Sequence, residues 1–63
     1  MTKKEFLEYC ENFIKETGVS ATNLGWRATG NPQLIFNMRK GRESREETQQ
    51  KVFEFVKQYK EAH

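Results

Sequence analysis

Helix starts and helix stops recur along this chain so regularly that they leave room for little but a bundle of short helices. Thr2-Lys3-Lys4-Glu5 has the form of a capping box, with a hydroxyl at the N-cap and a carboxylate three residues on. Ser20 is a second N-cap ahead of ATNLGWRA. Asn31-Pro32 is a third start, because asparagine caps and proline suits the first helical position. Ser44-Arg45-Glu46-Glu47 is a second capping box. Gly18, Gly30 and Gly41 close the first three segments, where a left-handed residue ends a helix. These signals predict helices over approximately 3–17, 21–28, 32–40 and 45–61.

The apolar residues agree with that division. Phe6, Leu7, Cys10, Phe13 and Ile14 recur on one face of the first helix, with Tyr9 at its edge. Thr48, Val52, Phe55, Val56 and Tyr59 form the stripe of the last, with Phe53 beside it. In the third helix Ile35 and Met38 point inward, flanked by Leu34. Gly25 lies inside the second helix, where glycine costs about 1 kcal/mol relative to alanine, so a second backbone is expected to cross there. With five Phe, one Trp and two Tyr the chain has material for a core, unlike a disordered segment. The expectation is a single all-α domain of four or five helices.

Charge is distributed unevenly. Residues 20–42 contain no Asp or Glu and carry Arg27, Arg39, Lys40 and Arg42, a local sum of +4. Residues 1–19 hold three Lys against four Glu, and residues 43–63 hold four basic residues against five Glu, so each end sums to −1. A basic middle between slightly acidic ends points to a polyanion more strongly than the net +2 does. The third helix adds chemistry to that charge. Gln33, Phe36, Asn37 and Lys40 fall on its outer side. Gln and Asn pair bidentately with adenine, and Lys or Arg reaches guanine or phosphate. An ordinary solvated face also carries Asn and Gln, but Phe36 does not fit a solvated face. It wedges into the core, contacts thymine methyls, or belongs to a protein interface.

Other functions find less support. One cysteine makes no internal disulfide, and Cys10 and His63 are the only soft ligands, far apart in sequence, so neither metal nor cofactor is expected. Cys10 lies inside the first apolar stripe, which suits a small core residue. His63, at the chain end, needs no role. No Ser/His/Asp set or paired carboxylates suggest an enzyme. No apolar run approaches a membrane span or the core of a signal peptide, and a single cysteine without a disulfide partner fits a reducing, cytoplasmic setting.

A short helix, a tight turn and a second short helix make a helix-turn-helix when they cross steeply, with a small residue on the first facing a branched one on the second. Gly25 and Ile35 supply that pair. Through Leu24, Gly25, Ala28, Gly30, Ile35, Met38, Gly41, and Ser44 with Thr48, residues 20–56 resemble the lambda-repressor-like (XRE/Cro type) helix-turn-helix family. The run GNPQLIFNMRKGR is similar to one in small stand-alone bacterial and phage proteins of this type. Two departures stand out. The turn glycine comes one residue later than is usual, and Ala21 and Pro32 stand where the family favours glutamine. The resemblance implies a compact four- to five-helix DNA-binding domain acting as a sequence-specific transcription regulator, such as a repressor. It implies base-edge contacts from Asn31, Gln33, Phe36 and Asn37, and phosphate contacts from Thr22, Arg27, Lys40, Arg42 and Arg45. Double-stranded DNA is then the partner, with a homodimer expected because one short recognition helix reads few base pairs. The alternative is a module of the same scaffold that binds another regulatory protein as an anti-activator or adaptor, which exposure of Trp26, Phe36 or Phe53 would favour.

Overall fold

A computed structural model of the protein describes residues 2–62. His63, the terminal residue assigned no role above, lies outside them. The described residues form four helices, α1 (Lys3–Thr17), α2 (Ala21–Thr29), α3 (Leu34–Arg39) and α4 (Glu46–Ala62), and no strand. No helix among them is long and apolar enough to cross a membrane.

The caps explain most of the boundaries. Thr2 Oγ1 accepts from the Glu5 N–H at 3.1 Å and donates to the Glu5 carboxylate at 3.1 Å. Ser20 Oγ accepts from the Asn23 N–H at 3.1 Å. The first two helices end on the same device. Thr17 donates to the Phe13 carbonyl at 2.7 Å and accepts from the Val19 N–H at 3.2 Å. Thr29 donates to the Gly25 carbonyl at 2.9 Å and accepts from the Asn31 N–H at 3.3 Å. In each case the following glycine takes a positive φ, 79° at Gly18 and 82° at Gly30. The threonine hydroxyl therefore bonds a late carbonyl and the amide after the capping glycine together.

Two expected starts shift. α3 begins at Leu34 rather than Pro32. The Asn31 side chain accepts from the Gln33 N–H at 3.0 Å and the Asn31 carbonyl accepts from the Leu34 N–H at 3.2 Å, so residues 31–34 make a tight capped turn before the helical ladder opens. Its far end is a Schellman motif. The Arg42 N–H donates to the Asn37 carbonyl at 3.1 Å and the Gly41 N–H to the Met38 carbonyl at 3.0 Å, which leaves Lys40 just past the helix. α4 begins at Glu46, its first bond running from the Gln49 N–H to the Arg45 carbonyl at 3.0 Å. Arg45 is therefore the N-cap, and the capping box expected at Ser44 does not form.

Every helix contributes to one core. Phe6, Cys10 and Phe13 of α1 meet Ala21 and Leu24 of α2, Leu34, Ile35 and Met38 of α3, and Val52 and Val56 of α4. α2 packs against α1, α3 and α4. α4 reaches α1 mainly through rings. Phe53 sits edge-on to Phe6 and Tyr9 at centroid distances of 5.6 and 5.1 Å, and Phe13 sits edge-on to Phe55 and Tyr59 at 6.1 and 5.3 Å. Phe55 and Tyr59, placed in the buried stripe by the sequence, are half-buried flank residues, and Phe53 is their counterpart on the other side.

The backbone crossing expected at Gly25 is present. A Cβ on Gly25 would stand 2.4 Å from the Asn31 carbonyl oxygen and 3.2 Å from Leu34 Cβ. These atoms set the approach of α2 to α3 at Gly25, and Ile35 lies fully buried in the core.

Candidate nucleic-acid interface

α3 is only six residues long, so its orientation depends on what holds its inner face and its two ends. Leu34, Ile35 and Met38 are buried and share one side of the wheel. Gln33, Asn37 and Lys40 then lie within about 60° of arc on the opposite side, at 100° per residue. Gln33 and Lys40 are exposed and Asn37 is half-buried. Their side chains hydrogen-bond to no described residue, so two carboxamides and an ammonium are free to meet a ligand.

Basic residues around this face divide into two groups. Arg39, although exposed, is held by the protein itself. Its Nη2 and Nε donate to Glu11 Oε1 of α1 at 2.7 and 3.1 Å. Its guanidinium lies 5.4 Å from the centre of the Phe36 ring. Lys40, Arg42 and Arg45 are exposed and form no ion pair with a described residue, despite Glu43, Glu46 and Glu47 close by in sequence. The end of α3 and the connection to α4 thus carry three cations outside any ion pair with a described residue, with Glu43 the one carboxylate among them. Lys3 Nζ donates to the Gly41 carbonyl at 3.0 Å, which tethers the turn and places a fourth cation beside it.

The remaining candidates divide as well. Asn31 is exposed, but its carbonyl oxygens are engaged in building the turn before α3, which leaves its amide donors for a base edge. Phe36 is half-buried against the core and covered on one side by Arg39, so it is neither a free wedge nor a solvated ring. Thr22 is exposed in the first turn of α2. Arg27 is exposed and lines a shallow groove with Ala28 of α2 and with Lys51, Glu54, Phe55 and Gln58 of α4. Glu11, which governs Arg39, is absent from the expected set. Nothing local marks it, since its partner is 28 residues away.

Of the aromatic residues tied to a protein-binding alternative, Phe53 and Phe36 are half-buried and packed on the core, whereas Trp26 on α2 is 60% exposed. No group of three or more His, Cys, Asp or Glu among the described residues is arranged to hold a metal ion. Cys10 is fully buried, and that burial pushes its thiol up to about 12, with the Glu11 charge adding to the shift. The thiol is therefore a packing group and not a nucleophile at neutral pH.

No protein-family profile matches this chain, and no curated protein or solved structure matches it at a significant level.

Proposed function

We propose that the protein is a sequence-specific DNA-binding regulator of the helix-turn-helix type, with α2 and α3 as the paired helices and the outer face of α3 entering the major groove. The observation that carries this reading is the combination of Asn37 on α3 with Gln33 and Lys40 at its two caps, their side chains free, and of Arg42 and Arg45, outside any ion pair, in the connection that follows. Phosphate contacts fix the register of a protein on duplex DNA, and amide side chains read base edges. A helix this short reads few base pairs, so two copies acting on a two-fold site belong to the same reading. The test is selection of bound sequences from a randomised duplex pool, followed by affinity measurements on the selected site and on mixed sequence. Gln33→Ala and Asn37→Ala should each cost about 1–3 kcal/mol on the selected site and little on mixed sequence. Recovery of no preferred sequence would defeat the base-reading role.

One observation favours a second reading, a module that binds another protein. Trp26 is the only large apolar side chain exposed among the described residues. Tryptophan is enriched where binding energy is concentrated in protein interfaces. On that reading Trp26→Ala abolishes association with the partner, and loss of Lys40 or Arg42 leaves it intact.

A further inference from the structure

Arg39 and Lys40 are adjacent cations at the end of the same short helix, yet the fold treats them oppositely. Lys40 projects from the outer face. Arg39 lies about 100° further round, where two of its nitrogens converge on one oxygen of Glu11 and its guanidinium covers Phe36. A phosphate oxygen accepts from a guanidinium in the same way as a carboxylate oxygen does. Glu11 therefore occupies the place a DNA phosphate would take on Arg39.

We propose that Glu11 is a specificity-determining residue that withholds Arg39 from the DNA backbone, so that affinity depends on the outer face of α3 and not on one more indiscriminate cation. This rests on the DNA-binding reading above. The pair is exposed, with side-chain accessibilities of 41% for Arg39 and 43% for Glu11, so its direct effect on stability is small. Its effect on binding is larger in kind. Each phosphate contact steepens the salt dependence of binding to every sequence alike. Taking Arg39 to a phosphate would also strand the Glu11 carboxylate beside a polyanion. The clamp thus lowers the sequence-independent part of the affinity and leaves the base-reading residues untouched.

The test uses the full chain, a short mixed-sequence duplex and fluorescence anisotropy between about 50 and about 200 mM salt. Thermal melts verify that each variant is folded. Lys40→Gln serves as the reference for loss of one phosphate contact and should reduce the slope of log K against log salt by about one unit. Arg39→Gln should leave the slope at the wild-type value. Glu11→Gln should steepen it by about one unit, so that the advantage over wild type shrinks about 3.5-fold across that fourfold salt range. The double variant Glu11→Gln/Arg39→Gln should return to the wild-type slope. A reduced slope for Arg39→Gln would overturn the proposal, because Arg39 would then already touch DNA. An unchanged slope for Glu11→Gln would overturn it too. So would a steepening that survives in the double variant, since that would be the missing negative charge alone. Absence of any salt-sensitive binding by the wild-type protein would instead remove the DNA-binding reading itself.

Discussion

Gly25 is where two residue-level preferences conflict. In the interior of an exposed helix, alanine in place of glycine gains about 1 kcal/mol. Here the added methyl would stand 2.4 Å from a backbone carbonyl that cannot rotate away. The clash should win, and Gly25→Ala is expected to destabilise the fold by about 1–3 kcal/mol in urea unfolding. A stabilised variant would mean that the 31–34 turn gives way easily. Cys10 supplies a second residue-level test. Burial raises its thiol from the ordinary value near 9 to about 12, and burial raises the Tyr9 hydroxyl in the same direction. Below about pH 7.5 both groups are neutral, folded or unfolded, and contribute nothing to pH dependence. Above it the unfolded chain releases protons that the folded chain retains, so stability falls as pH rises towards 12. The drop in melting temperature between pH 8 and pH 10.5 should be smaller in Cys10→Ala than in wild type. An equal drop would place the titrating group elsewhere.

At the scale of elements, helix existence was legible and helix ends only partly so. α1 has the bounds its capping box and Gly18 predict, because all the signals that define it are local. α3 comes out shorter because the Asn31 side chain and Pro32 build a turn and not a first helical turn. The threonine at the end of α1 and of α2 closes both with one hydrogen-bond pattern, and the repeated Thr-Gly dipeptide was the available signal. The Ser44 box gave way to a backbone cap at Arg45, in a connection whose start is tethered by Lys3, 38 residues away from Gly41. No local pattern announces such a contact. The same applies to the last helix, whose wheel identifies an apolar arc but not which part of it meets α1. Val52 and Val56 take the centre, and Phe53 and Phe55 divide the flanks. Consequently Phe6→Ala, which empties a fully buried site, should cost about 3–5 kcal/mol, and Phe55→Ala clearly less. Equal losses in denaturant unfolding would contradict that ranking.

For the whole molecule, the basic middle of the sequence becomes an asymmetric surface. Of the four basic residues in the acid-free stretch, Arg39 is neutralised by α1, Arg27 turns to the groove beside α4, and Lys40 and Arg42 remain free near Arg45 and Lys3. The sequence revealed the excess of charge but not this sorting, which depends on contacts across the bundle. The outer face of α3 was legible in part: helical spacing exposes Gln33 and Lys40 and leaves Asn37 half-buried, whereas Phe36, read on the same side, packs against the core under Arg39. Residue-resolved NMR tests directly whether that face meets DNA. On titrating labelled protein with duplex DNA at low salt, the largest amide shifts should fall between Asn31 and Arg45, with those of α1 beyond Glu11 and the second half of α4 nearly unmoved. Shifts centred on Trp26 and α4, or no shifts at all, would contradict DNA binding through α3.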